Sequence, residues 1–209
     1  MKCSDCSKVV KPIVSVDIDG TLANYHGSLI EFVDKFWDQE FSWAFGTYDG
    51  SCDMADYYNI EKEKYRIAKL AYRQGGNKRF MPLMYGAFEF MEWLSSKPVE
   101  IWLTTNRPYL RHDNIDTDTR WWLNKNDIKF HGIVYEDSGK YEQLIATVDQ
   151  ERILLVIDDL PERVMEADFL GLEAFQIQTA YNRAARWNGQ GGGFLNARSR
   201  IIKKLDAWK

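Results

Sequence analysis

Cysteine is scarce, with three in 209 residues. Cys3 and Cys6 form a C-x-x-C near the N-terminus, and Cys52 stands far from both. A structural zinc site wants four ligands, commonly two such pairs, and no second pair is present. A redox C-x-x-C should follow a strand and open a helix, whereas this one precedes the first apolar run. Reduced thiols of minor structural weight are expected. Long apolar runs are also missing. None approaches the roughly 20 residues that span a bilayer, and MKCSDCSKVV lacks the apolar region of a signal peptide. No membrane contact is expected, and the reading is a soluble, cytoplasmic protein. There is no G-x-x-x-x-G-K-[ST] and no G-x-G-x-x-G after a strand, which sets aside a P-loop kinase and a dinucleotide cofactor. An excess of positive charge is absent too. The net charge of -4 and pI of about 5.5 weigh against a surface built for nucleic-acid backbones, which bind through many Lys and Arg.

What is present argues for a packed core. The chain is 45% hydrophobic and 14% aromatic, enough for one good core, or a core with a small accessory unit. Ile13 to Val16 reads as a buried strand, and VEIWLTT (99–105), GIVYE (132–136), RILLVIDD (152–159) and EAFQIQT (173–179) read alike. Helical patterns stand between them: YGAFEFMEWLSS, DTDTRWWLNKND, GKYEQLIATV and PERVMEADFLG. Alternating strands and helices imply right-handed crossovers and a parallel, Rossmann-like α/β sheet covered on both faces. Ligands in such sheets bind at the carboxyl ends of the strands, where the strand order reverses.

Residues 24–81 break the alternation and read as a helical insertion, with 1–23 and 82–209 forming the core. Ser28 and Glu31 match a capping box ahead of Leu29, Phe32, Val33, Phe36 and Trp37 at helical spacing. A second helix is expected from Ile60 to Gln74, with Ile67 on its apolar side and Gly75-Gly76 as its stop. Trp37, Phe41, Trp43 and Phe45 fall at packing intervals and are expected to form the insertion's own small core. Residues 60–80 carry seven basic side chains (Lys62, Lys64, Arg66, Lys69, Arg73, Lys78, Arg79) against Glu61 and Glu63. A solvated helix face is the first reading of that run. NGQGGG (188–193) reads as a flexible linker before a last helix.

The chemistry concentrates at strand ends: Asp17-Ile-Asp19-Gly20-Thr21, Thr104-Thr105-Asn106-Arg107, Lys140, and Asp158-Asp159. A buried carboxylate costs several kcal/mol, on the order given by transfer data, unless a partner or metal compensates it. A cation is therefore expected near these acids. The calcium-loop reading of DIDGT fails, because position six is Leu22 and position twelve is Ser28 where Gly and Glu are needed.

Taken in this order, DIDGT, the strand ending in Thr before NRP, Lys140 in SGKYEQL, and VIDD resemble the four motifs of the haloacid dehalogenase (HAD) superfamily, chiefly its phosphatases. The resemblance runs from about residue 12 to residue 180. It implies a Rossmann-like core with a cap inserted after the first motif, and a phosphoric monoester hydrolase that needs Mg2+. On that likeness Asp17 is the nucleophile that forms an aspartyl-phosphate, and Asp19 is the general acid and then base. Thr105, or alternatively Thr104, binds the phosphoryl group, and Lys140 offsets its charge. Gly20, Thr21, Asn106 and Arg107 would contact substrate. Asp17, the Asp19 carbonyl, Asp158 and Asp159 would hold the metal, with either of the last two as the direct ligand. PLMYGA, the helical insertion and TAYN are similar to the 5′(3′)-deoxyribonucleotidases, and Thr119, Trp122 and Leu123 to the phosphatase domain of polynucleotide kinase-phosphatases. The expected substrate is a small phosphorylated molecule, a nucleoside monophosphate first, with a nucleic-acid 3′-end or a sugar phosphate as alternatives. A catalytically silent binding domain is disfavoured because no acid of the set is replaced. The sequence sets no oligomeric state.

Overall fold

The computed structural model describes residues 10–41, 48–107, 112–136, 139–182 and 191–208. Six strands, β1 (Ile13–Asp17), β2 (Glu100–Thr105), β3 (Gly132–Tyr135), β4 (Ile153–Asp158), β5 (Ala174–Ile177) and β6 (Gly191–Gly192), form one parallel sheet in the order β3-β2-β1-β4-β5-β6. Every residue of β1 and β4 is buried, as a sheet covered on both faces requires. The helices are α1 (Tyr25–Trp37), α2 (Met54–Tyr57), α3 (Lys62–Gln74), α4 (Ala87–Ser95), α5 (Asn114–Lys125), α6 (Lys140–Thr147), α7 (Pro161–Phe169) and α8 (Phe194–Ala207). On one face, α6 and α7 pack through Tyr141, Leu144, Val164 and Ala167 onto Val134, Val156 and Ala174. The opposite face carries α4, α5 and α8 in a larger core with Val14, Val16, Leu155 and Phe175. This is the doubly wound arrangement, and the strand order reverses between β1 and β4.

The segment from 24 to 81 contributes α1, α2, α3 and a short 3-10 helix, Asn77–Phe80. Four local expectations need correction. The N-cap of α1 is Asn24, whose Oδ1 accepts from the Gly27 amide at 3.2 Å; Ser28 already lies inside the helix. On α3 the buried residues are Tyr65, Ala68 and Tyr72, while Ile67 is exposed. The segment does not keep a core of its own. Leu29, Val33, Tyr58, Tyr65 and Tyr72 belong to the same apolar cluster as the sheet, with Trp37 and Phe41 packed at its edge. Trp43 and Phe45 lie outside the described residues, as do Cys3 and Cys6. Finally, Gly191 and Gly192 of the expected linker pair with Gln176 and Ile177 as the sixth strand. No helix among the described residues is long and apolar enough to cross a membrane.

Trp122 and Thr119 have structural duties. The Trp122 ring is fully buried, and its Nε1 donates to the Met81 carbonyl at 2.7 Å, joining α5 to the chain that enters the core. Trp122→Ala should cost about 3–5 kcal/mol of stability, the range for deleting a large buried ring. Urea unfolding measures this; a loss under about 1 kcal/mol, the size of a surface change, would place the ring outside the core.

Candidate active site

Parallel pairing brings the strand-end acids together. Val16 stands opposite Ile157, so Asp17 and Asp158 emerge side by side at the carboxyl ends of β1 and β4, at the switch point of the sheet. Oxygens of Asp17, Asp158 and Asp159 all lie within 4.8 Å of one another, and all three residues are buried. One cation faces them. Lys140, at the first turn of α6, reaches Asp17 Oδ1 at 2.6 Å and Asp158 Oδ2 at 2.5 Å. Tyr141 donates to the same Asp158 oxygen at 2.6 Å, and the Leu160 amide donates to Asp158 Oδ1 at 3.0 Å. Asp159 Oδ1 accepts from the Thr21 hydroxyl at 2.9 Å, whereas its Oδ2 is buried with no hydrogen-bond partner.

The charges explain the titration. Burial pushes the Asp17 carboxyl up to about 7; Lys140 offsets part of that, and Asp158 adds to it. Burial also raises Asp159 well above the carboxylate range, reinforced by Asp158 and Asp17. Lys140 stays firmly protonated, since its two carboxylates outweigh its burial. Three clustered acids against one lysine, with one buried oxygen left orphaned, suit a hard divalent cation that prefers oxygen ligands. Gly20 makes room for this. Its φ of +100° favours glycine, and a Cβ there would collide with the Asp159 carboxylate.

Asp19, two residues beyond Asp17, sits in a different environment. Its side chain turns away from the acid cluster to Arg107, whose Nη2 reaches Oδ1 at 2.5 Å and whose Nε reaches Oδ2 at 3.0 Å. Lys78 also donates to Asp19 Oδ2. Burial alone would raise the Asp19 carboxyl, but Arg107 and Lys78 outweigh it and hold the group well below the usual range. Burial and repulsion from Arg107 pull Lys78 down, so Arg107 is the firmer of the two charges.

The other expected residues are distributed unevenly. Thr105 is buried with its hydroxyl unpartnered, while the Thr104 hydroxyl is taken by Ser15 at 3.1 Å, which favours Thr105 as the available group. Asn106 lines the cavity with Asp17, Asp19 and Lys140 and donates from Nδ2 to the Glu136 carbonyl at 3.1 Å. Arg107 is fully enclosed and also donates to Thr119, so it reaches substrate only through Asp19. The basic run from 60 to 80 is not one solvated face. Lys62 pairs with Asp53 and Asp56, Arg66 with Glu63, and Arg79 with Asp118, but Lys78 is 1% exposed against Asp19, and Lys69 and Arg73 line the cavity.

Sequence reasoning missed Lys78, Tyr141, His26 and Asn182. Asn182 donates to the Asp159 and Ile177 carbonyls at 2.6 and 2.9 Å and fixes the turn after β4. His26 accepts from or donates to the Tyr58 hydroxyl at 2.7 Å, and its Nε2 lies 3.9 Å from the orphaned Asp159 oxygen. Burial lowers it to about 4, so it is neutral at pH 7.

The fold is shared with solved HAD-type structures. A haloacid dehalogenase-like family hydrolase from Streptococcus pneumoniae superposes with a TM-score of 0.62 at 15% identity, over 90% of this chain and 97% of that one. A predicted phosphatase from Clostridium acetobutylicum gives 0.63 at 15% identity, over 94% and 99%. A magnesium-bound structure described as HAD-hydrolase type, from Bacillus subtilis, gives 0.59 at 11% identity, over 92% and 98%. No family model matches the chain, and no curated protein matches it in sequence. At these identities the likeness carries the fold.

A stability prediction follows from the acid cluster. Between about pH 4 and pH 7 the folded chain keeps protons on Asp17 and Asp159 that the unfolded chain has released, so stability of the metal-free protein falls as pH rises through that window. Asp19 acts oppositely, but only below about pH 4, where its depressed group loses its stabilising pairs. Magnesium should therefore raise the melting temperature more at pH 7.5 than at pH 5, where it competes with protons. Equal shifts at both pH values would disconnect the ion from these acids.

Proposed function

We propose that this protein is a magnesium-dependent phosphomonoester hydrolase that works through an aspartyl-phosphate on Asp17. The observation that carries the reading is the pair of contrasting carboxylates: Asp17 in a buried acid cluster facing Lys140, and Asp19 two residues on, held by two cations in the same cavity. A carboxylate nucleophile and a separate carboxyl for proton transfer are the two groups that a two-step phosphoryl transfer needs.

In this reading Lys140 aligns Asp17 and, with a bound cation, favours its ionised form, and an Asp17 oxygen attacks phosphorus while the bond to the leaving oxygen breaks. Thr105 offers its free hydroxyl to the phosphoryl oxygens. A bound magnesium ion, held by Asp17, Asp158 and Asp159 with the Asp19 carbonyl, would neutralise charge on the nucleophile and the phosphoryl group. Asp19 rests as a carboxylate, so it can donate a proton only after taking one up. An arriving phosphate dianion repels the Asp19 charge and raises its pKa, so that Asp19 takes a proton from solvent and then passes it to the leaving oxygen. After the leaving group departs, Asp19 accepts a proton from the water that attacks the aspartyl-phosphate. Gly20 and Thr21 shape this floor, while Asn106 forms part of its wall.

For the leaving group we infer a small molecule covered by residues 24–81 acting as a cap. A nucleoside is the finer reading. Its support is a cavity of about 310 Å³ beside Gly20 and His26, walled by Tyr57, Tyr58 and Tyr181, which suits a planar ring. A sugar phosphate fits the core chemistry equally.

Asp17→Asn should abolish phosphate release, because an amide cannot form the acyl-phosphate. Asp19→Asn should lower kcat by roughly 10²- to 10⁴-fold, the usual worth of a positioned acid or base. Phosphate release from phenyl phosphate and mononucleotides, with magnesium and with EDTA, measures both. Turnover that survives Asp17→Asn at more than a few per cent, or that EDTA leaves untouched, would sink the mechanism.

A further inference from the structure

Two cations of α3 that line the cavity have no anionic partner among the described residues. Lys69 and Arg73, one helical turn apart, have no carboxylate within ion-pair distance among the described residues. Neighbouring Lys62, Arg66, Lys78 and Arg79 all do. Lys69 Nζ stands over the Tyr65 ring at 5.3 Å, and burial, helped by Arg73, lowers its ammonium to about 8. Arg73 Nε is buried with nothing accepting from it. The Tyr65 hydroxyl, 7% exposed, is likewise buried without a partner, and the Tyr25 hydroxyl, also 7% exposed, has only the Arg73 side chain beside it. All four residues line the cavity that holds Asp17, Asp19 and Lys140. Buried polar groups are nearly always paired, and an unpaired cation is among the costliest exceptions. This wall is rich in donors and holds no anionic acceptor, and an anion supplies one.

Position separates this wall from the reacting centre. Tyr65, Lys69 and Arg73 line both the inner cavity and the outer cleft, where Asp53, Lys62 and Arg163 also stand. Asp17, Asp19 and Lys140 line the inner cavity and not the outer cleft. The three donors therefore lie between the reacting centre and the mouth of the outer cleft. The phosphoryl group itself would sit deeper, against Asp17 and Lys140.

We propose that Tyr65, Lys69 and Arg73 form a subsite for a second anionic group, so that the preferred substrate is a bis-anionic phosphomonoester carrying a carboxylate or a second phosphate on the mouth side of the reacting phosphoryl group. The assignment rests on the phosphatase reading for the word substrate, but the anion subsite itself does not need turnover. It also divides the candidate leaving groups. A plain nucleoside monophosphate or hexose monophosphate leaves the three donors unanswered, whereas a phosphorylated hydroxy acid, a bisphosphate or a nucleoside bisphosphate answers them.

The test compares matched pairs that differ in one anionic group. With magnesium, kcat/KM is measured for phosphoglycolate against 2-hydroxyethyl phosphate, for propane-1,3-diol bisphosphate against its monophosphate, and for adenosine 3′,5′-bisphosphate against adenosine 5′-monophosphate. The bis-anion should be preferred by about tenfold or more in the carboxylate pair or in a phosphate pair, and which pair shows it identifies the second group. In Lys69→Ala and Arg73→Ala that ratio should fall towards one, and Lys69→Arg should restore most of it. Ratios near one in wild type, or ratios that both alanine variants leave unchanged, overturn the subsite. A second readout stands apart from catalysis: by calorimetry, phosphonoacetate should bind about tenfold tighter than methylphosphonate to wild type, and not to Arg73→Ala. If no phosphomonoester is hydrolysed but this binding difference holds, the phosphatase reading falls and the anion subsite stands; equal binding of the two phosphonates in wild type removes the subsite.

Discussion

Three carboxylates buried at the end of two adjacent strands, with one lysine among them, set the terms for the rest of the molecule. Asp17, Asp158 and Asp159 cannot all be ionised at close range without compensation, and Lys140 supplies one positive charge. Much of the surrounding structure serves to keep this arrangement in place. Tyr141 and the Leu160 amide occupy Asp158, Thr21 occupies one oxygen of Asp159, and Asn182 ties down the turn that carries it. Gly20 is the reciprocal device, since the space a side chain would take belongs to Asp159. The clustering of acids lowers the stability of the metal-free chain, and these supports offset part of that while holding the site ready for a cation.

Asp17 and Asp19 show how little sequence separation is needed to give two carboxylates opposite properties. Asp17 ends β1 and stays among acids. Asp19 lies past the strand end, where the chain has left the ladder and turns through Gly20, and its side chain meets Arg107 and Lys78 instead. Burial raises both: at Asp17 Lys140 offsets only part of it and Asp158 adds to it, whereas at Asp19 Arg107 and Lys78 outweigh it. The proposed nucleophile is the raised group and the proposed acid the lowered one, so both carboxyls would have to shift as a cation and an anionic substrate bind.

Most of the sheet was legible because its signals are local. Short apolar runs bounded by turns, alternating with helical patterns, leave few topologies, and acids at strand ends then converge by geometry. Lys78 was not legible. It sits in a short 3-10 helix within a run of basic residues that by itself resembles a solvated face, and what buries it is Asp19, 59 positions away. The cap of α1 went astray for the reverse reason. Ser28 and Glu31 satisfy the capping-box pattern, but the Ala23 bridge to Leu83 delivers the chain to Asn24, and the helix begins there. β6 has two glycines and no side chain to signal a strand; only its pairing with Gln176 and Ile177 defines it.

The division of charge between segments bears on how the site opens. The sheet supplies the carboxylates, while the stretch from 24 to 81 supplies Lys69, Arg73 and Lys78, so the electrostatics are complete only when the two pack together. Their apolar contacts form one continuous cluster through Leu29, Val33, Tyr65 and Tyr72. Swinging the whole segment away would expose that surface at about 25 cal/mol for each Å² of apolar area. It would also break the Lys78–Asp19 pair. Opening by a smaller element at the outer cleft, where Lys62, Asp53 and Asp56 make exposed pairs of little net worth, exposes only the apolar surface of Ala55 and Tyr57 and leaves the Lys78–Asp19 pair intact. Substrate entry is therefore expected to move the rim that carries α2 and the start of α3, leaving the Lys78 end anchored on Asp19.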